Sequence, residues 1–373
     1  MSEHAARVQD AVRRGEKLRV RGGSSKPALS AGANLDLRDV SGVTEYNPQE
    51  YTFTALSGTP LTEVNKLLAA EGQHLPFDLP FAEAGATLGG TVAAGMSGPG
   101  RYRYGGVRDF LIGVTFVNGL GEFVTGGGKV VKNAAGFDFP KLMVGSLGRF
   151  GATVELTFKV FPSPERYATL QFDAPDFARA AALMQRLAGS SFEAWALELH
   201  PPNRLLARFG GLGEALPGRL ERVQAFLGQA GEVITGDAEV QLWREANALS
   251  WPPDGHALVK VAHSPRLVGE LERALEPLKV AHRYGVGGNV CYLAWPETKR
   301  AALDRLLSDR LLSGVALTGS WTTPQVGVQT GGAFLERVTR VFDPHGIFSY
   351  GATDTETTGA ETTDTGSEVS GAA

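Results

Sequence analysis

Gly85-Ala86-Thr87-Leu88-Gly89-Gly90-Thr91-Val92-Ala93-Ala94-Gly95-Met96-Ser97-Gly98 places five glycines in fourteen residues. An ordered glycine loses more backbone entropy than any other residue. A stretch this rich in glycine therefore calls for left-handed backbone, or for bare main chain lying against a partner. Two further turns have the same character. Arg21-Gly22-Gly23-Ser24-Ser25-Lys26 follows a short apolar strand, Leu18–Arg21. Val144-Gly145-Ser146-Leu147-Gly148-Arg149-Phe150-Gly151-Ala152-Thr153 runs into a strand rich in β-branched and aromatic residues, Gly151–Phe161. Main-chain amides from such turns suit a ligand that carries phosphates or a flat ring system.

Each turn offers specific groups. In the first, successive N–H groups form a concave nest for a diphosphate. Ser24 and Ser25 add hydroxyl donors, and Lys26 or Arg21 adds the countercharge. Hydrogen bonds to a charged group contribute about 1.5–3 kcal/mol each, so a few hold a cofactor. A polar β-turn is the plain alternative. The motif is not a P-loop, because no GK[ST] follows at the required spacing, and no GxGxxG opens a helix. In the second turn Gly89 and Gly90 permit close backbone approach, while Thr87 and Thr91 supply hydroxyls. Ala93, Ala94, Gly95 and Ser97 leave room for a large ring or a pyrophosphate. A tight loop packed on a sheet would explain any one of these turns, but all three within the first 160 residues favour a cofactor site.

The rest of the chain sets the frame. Its 373 residues allow two domains, and 43% hydrophobic and 20% charged content is that of a globular protein. A formal net charge of −4 offers no field for nucleic acid or an anionic membrane. Cys291 is the single cysteine, so no internal disulfide and no cysteine metal cage is expected. No apolar run approaches the roughly 20 residues of a membrane span, and Met1–Arg14 lacks the apolar core of a secretory signal. Cytoplasmic localisation is the expectation. Thr59 reads as a helix cap, with Leu61, Val64, Leu67 and Leu68 at helical spacing up to Gly72. Strands are expected at Leu35–Leu37, Tyr51–Leu56, Leu111–Val117 and Phe123–Thr125. Beyond Pro164, short apolar strands alternate with amphipathic helices near 177–188, 218–229, 239–249, 266–276 and 298–312. That pattern is α+β, with an antiparallel sheet covered on one side. From residue 352 the chain is small, polar and acidic, and disorder is expected.

RGGSSK (21–26), ATLGGTVAAGMSGP (86–99), GGGKVVKNAAGFD (126–138) and VGSLGRFGATVELTFKVFP (144–162) together resemble the FAD-binding domain of the vanillyl-alcohol oxidase type, the PCMH fold. Within that superfamily the chain is similar to the E-type FAD-binding subunits of bacterial glycolate oxidases. The resemblance implies a two-subdomain FAD-binding domain over 1–165, an α+β domain over 166–351 and a tail over 352–373. It also implies a cofactor-lining set: Gly22, Gly23, Ser24, Ser25 and Lys26, then Thr87, Gly89, Gly90, Thr91, Gly95 and Ser97. From the far side it adds Gly145, Ser146, Gly148, Gly151 and Thr153.

Three departures shape the expected chemistry. Ser24 and Ser25 stand where many relatives carry a histidine tether, so non-covalent FAD is expected. Tyr284-Gly285-Val286-Gly287-Gly288-Asn289 stands where catalytic relatives carry HxGDGN, with neither His nor Asp. Ser349 replaces the asparagine of a terminal DPxxxxNPG. The implied function is the FAD subunit of a glycolate oxidase assembly that converts a 2-hydroxy acid to a 2-oxo acid. Its implied partners are a catalytic D-type flavoprotein and an iron–sulfur subunit, through which it would associate with a membrane. A structural subunit with a vestigial flavin site and a stand-alone FAD-dependent 2-hydroxy-acid dehydrogenase are the alternatives. His263, His282 and His345 lack ligand spacing and read as structural; no metal site and no general base is nominated.

Overall fold

Leu111–Val117 is an interior strand of the first sheet, beside the central strand Ala152–Lys159, with apolar side chains entering the core and Gly113 and Thr115 between them. The computed structural model describes residues 3–128 and 137–348. Five antiparallel strands run in the order Val43–Asn47, Thr52–Leu56, Ala152–Lys159, Leu111–Val117, Phe123–Gly127. Phe53 faces Phe158 directly across two of them, and the rings stack 5.5 Å apart. The helix Leu61–Ala70 lays Leu61, Val64 and Leu68 onto this core. Thr59 does not cap it. Pro60 holds the cap position, and the Thr59 hydroxyl accepts from the Gly42 amide (2.9 Å) and donates to the Leu56 carbonyl (2.7 Å). The hydroxyl is drawn into the preceding loop because that loop offers it two main-chain partners.

Beyond Pro164 a second antiparallel sheet has nine strands. Their order is Glu232–Thr235, Arg166–Asp173, Arg204–Gly211, Ala196–His200, His282–Gly285, Val290–Pro296, His256–Ala262, Ser313–Ala316, Gln325–Gly327. The helices Phe177–Ala188, Leu216–Leu227, Val268–Leu275 and Arg300–Ser308 bury their apolar stripes against one face. Asp176 caps the first of these, its carboxylate accepting from the Arg179 amide at 2.7 Å. From the opposite face Leu258, Val290, Tyr292 and Leu317 join Phe77, Leu79, Met96 and Val107 of the first sheet's unit in one apolar cluster. The two units thus share a core.

The chain then returns. The helix Gly332–Phe342 sets Leu335, Val338 and Phe342 against the first unit, with the Phe342 ring 5.8 Å from Phe116 and 6.2 Å from Phe150. Asp343 accepts from the amides of Ile347 and Phe348 (2.7 Å each), and Phe348 bridges Leu18 in parallel. Lys129 and Lys132, Ser349 and the tail from 352 lie outside the described residues.

Candidate cofactor-binding site

The loop after Val20–Arg21 decides the site. Gly22, Gly23, Ser24, Ser25 and Lys26 present five successive backbone N–H groups, none of which donates to an acceptor among the described residues. Ser24 is left-handed at φ 52°, so the loop coils into a nest. A nest of five amides without a protein acceptor is a concave site of positive potential suited to an anion. The loop borders an open cleft of about 720 Å³. Thr87, Gly89 and Gly90 line its second side, and Gly148, Gly151 and Thr153 its third.

The charge in the cleft is Lys26. Its residue is only 6% exposed, its ammonium donates to Ser25 Oγ at 2.9 Å, and it lies 5.3 Å from the Phe81 ring centroid. No carboxylate among the described residues pairs with it, and burial pushes its pKa down to about 8. Arg21, the other candidate countercharge, is committed to Asp36 at 2.9 and 3.1 Å. Asp36 is held down to about 2, by Arg38 foremost and by Arg21 as well. The cleft wall contains no Asp, Glu, His, Cys or Tyr among the described residues. It therefore offers donors, the Lys26 ammonium and the Asp36-paired Arg21 guanidinium, with no His, Cys or Tyr among its described lining residues.

Glycine at 22 and 23 has a reason the sequence did not reveal. A Cβ on Gly23 would lie 1.7 Å from the Gly85 carbonyl oxygen, and one on Gly22 would lie 2.2 Å from Thr87 Oγ1. The first and second turns press together at these two glycines. Five of the expected residues stand behind the wall and do not line the cleft. Thr91 is buried, with its hydroxyl unpartnered. Gly95 backs onto Gly145. Ser97 Oγ accepts from the Val107 amide at 2.9 Å. Ser146 is buried, its Oγ 3.4 Å from the Gly148 amide. Leu29, Leu37, Ser57 and Leu147 line the cleft without having been expected. The apolar three look like any core leucines in the sequence, and only the orphaned, buried Ser57 hydroxyl sets that residue apart.

The second unit reaches the same region through Lys260, whose ammonium donates to the Gly95 carbonyl at 3.0 Å. At the hairpin Tyr284–Asn289, Tyr102 from the first unit fills the space, its ring 2.6 Å from where a Cβ on Gly287 would sit. His263 and His282 are both structural. His282 Nε2 meets Glu272 at 2.7 Å, and His263 Nδ1 meets the Gly288 carbonyl at 3.0 Å.

Residues 1–127 match the FAD binding domain family. Over 249 residues the chain is 34% identical to glycolate oxidase subunit GlcE of Escherichia coli K12, covering 66% of this chain and 67% of that one. The chain belongs to the GlcE family. FAD is its cofactor, and it is a component of an FAD-dependent oxidoreductase. More distant similarity joins this GlcE-family chain to other flavin enzymes. It is 32% identical over 160 residues to D-2-hydroxyglutarate dehydrogenase of Xanthomonas citri pv. viticola, covering 42% of this chain and 34% of that one. It is 30% identical over 169 residues to glycolate oxidase subunit GlcD of Bacillus subtilis, covering 45% and 35%. The chain thus aligns with only about a third of the length of those two. Alkyldihydroxyacetonephosphate synthase shares the fold, with a TM-score of 0.66 at 17% identity over 93% of this chain and 73% of that one. No helix among the described residues is long and apolar enough to cross a membrane.

Proposed function

We propose that this chain is the FAD-carrying E-type component of a glycolate-oxidising assembly, in which the Gly22–Lys26 nest grips the cofactor's diphosphate. The carrying observation is the run of five unpaired amides beside a buried ammonium that has no carboxylate partner among the described residues. Thr87, Gly89 and Gly90 on one side and Gly148, Gly151 and Thr153 on the other flank the cofactor. Thr91, Gly95, Ser97, Gly145 and Ser146 support those walls from behind. When bound, FAD supplies acceptance of a hydride or of single electrons. The chain's own residues hold its charge, shield it and aim it.

The hairpin favours a supporting role in substrate oxidation. It carries neither His nor Asp, and Tyr102 occupies the space over Gly287. Hydride abstraction then falls to a D-type flavoprotein partner. Electrons leave through an iron–sulfur partner, since one cysteine cannot ligate a cluster. The purified chain is expected to bind one FAD yet reduce dyes with glycolate only when its partner subunits are added. Vigorous glycolate turnover by the isolated chain would overturn this division of labour.

A further inference from the structure

A notch of about 1560 Å³, mouth included, interrupts one end of the nine-stranded sheet and shares no lining residue with the cofactor cleft. Unequal strand lengths create it. Arg166–Asp173 pairs along its whole length with Arg204–Gly211 on one side, but on the other side Glu232–Thr235 covers only Ala168–Gln171. After Thr235 the chain leaves the sheet and turns into the helix Gly236–Ala248. Arg166 and Tyr167 therefore keep an open edge. Hydrogen-bonding direction alternates along an antiparallel strand, so one of these two turns both its N–H and its C=O toward the notch. Among the described residues nothing outside the ladder bonds to those groups.

Side chains give the notch two characters. Its floor is apolar. Leu216 and Leu220, on the helix Leu216–Leu227, are buried beneath it, and Val233 and Val240 border it with 48% and 52% of their surface exposed. An apolar patch rimmed by polar residues is the usual mark of a contact surface. The rim here is acidic. Glu165, Glu221 and Asp237 stand against the single Arg166. Glu165 accepts from the Gly213 amide at 3.1 Å, while Glu221 and Asp237 form no ion pair with any described residue. A fourth carboxylate, Glu239, is spent on Arg208 at 2.8 and 3.1 Å.

We propose that the notch takes an extended basic segment of another polypeptide, added to the sheet as a short strand along Arg166–Tyr167. Its main chain closes the open edge, alternate side chains enter the apolar floor, and the basic ones between them meet Glu221 and Asp237. Charge decides the occupant. The chain's own tail from 352 carries five carboxylates and no Lys or Arg. A second copy would bring the same acidic rim against the first, and like charges facing each other across paired strands repel. This goes beyond the cofactor reading, because it assigns a protein contact to the second unit, away from the flavin, and does not depend on what the flavin does.

The probe is a fluorescein-labelled hexapeptide of alternating lysine and valine, titrated by fluorescence anisotropy into the FAD-loaded full chain. Saturable binding is expected. It should weaken about tenfold or more when glutamate replaces lysine in the peptide, and it should weaken between about 50 and 300 mM salt. Proline in place of the valines should abolish it, because proline cannot donate to a strand. Hydrogen exchange at Arg166 and Tyr167 should slow on binding. Glu221→Lys and Val240→Asp change exposed side chains. Each should cut affinity about tenfold, with thermal stability and flavin absorbance as in wild type. Absence of saturable binding to the FAD-loaded wild type, equal binding of the lysine and glutamate peptides, or binding untouched by both variants would overturn the proposal. So would a concentration-dependent doubling of mass that protects the same amides without peptide, because the occupant would then be a second copy. FAD content is read separately from flavin absorbance, so none of these outcomes bears on the cofactor reading.

Discussion

Gly22–Lys26 and Val286–Asn289 are both glycine-bearing turns at the ends of short strands, and in sequence each could cradle a ligand. Their surroundings are opposite. The first leaves five amides without an acceptor and an ammonium without a carboxylate partner, among the described residues, beside a cleft. In the second, the space over Gly287 is filled by Tyr102, and the Gly288 and Val286 carbonyls are taken by His263 and Asn289. Glycine density alone therefore does not locate a ligand. Unspent donors and unspent charge do.

The comparison breaks most sharply at Gly23. Gly23→Val drives a side chain into the Gly85 carbonyl and separates the first two turns. Because each nest hydrogen bond to a charged group contributes about 1.5–3 kcal/mol, FAD affinity should fall by at least about 100-fold. Equilibrium titration of the apoprotein with FAD reads this directly, and unchanged affinity would remove the loop from the site.

Lys26→Met sharpens the contrast without distorting the backbone, and should weaken FAD about 10- to 100-fold. The pH dependence has a definite sign. The buried ammonium has its pKa lowered to about 8, so the folded apoprotein sheds a proton that the unfolded chain keeps up to its ordinary value. Between those values, rising pH stabilises the apoprotein, because the cost of a buried charge disappears. FAD prefers the charged form. Its dissociation constant should be flat below pH 8 and then rise by up to about tenfold per pH unit. The methionine variant should lose that dependence.

The closed turn should respond through stability and not through cofactor. Gly287→Ala sets a Cβ 2.6 Å from the Tyr102 ring at a residue with φ +61°. Overpacking and left-handed strain together should cost about 2–4 kcal/mol. Chemical denaturation checks this, and Tyr102→Ala in the same chain should restore part of the loss. The smallest effect is expected at Val286, a β-branched residue at φ +56°. Val286→Gly relieves about 1–2 kcal/mol of left-handed strain and forfeits about 1.5–3 kcal/mol of burial. Its net loss should be only about 1 kcal/mol, and a much larger loss would mean the strain is not there.

Much of the fold was legible where one period dominated. Leu111–Val117 and Phe177–Ala188 occur within the expected bounds, because alternation and helical spacing respectively leave no competing reading. The edge strands Glu232–Thr235 and Gln325–Gly327 are short and half exposed, so no apolar pattern announced them. The return of Gly332–Phe342 to the first sheet was equally silent. Its apolar stripe says that it packs, but not on what. In the site, residues that present main chain were legible through glycine and serine. Choosing Lys26 over Arg21 required seeing Asp36, which lies ten or more residues from either of them and is joined to Arg21 only by strand pairing.

The most direct measurement is flavin stoichiometry before and after denaturation. The chain is purified, reconstituted with FAD and freed of excess ligand. Absorbance near about 450 nm is then compared in the native protein and in the supernatant after acid precipitation. One FAD per chain, released in full, is the predicted result. A protein that stays colourless at saturating FAD, or flavin that precipitates with the polypeptide, would contradict a non-covalent grip by the Gly22–Lys26 amides.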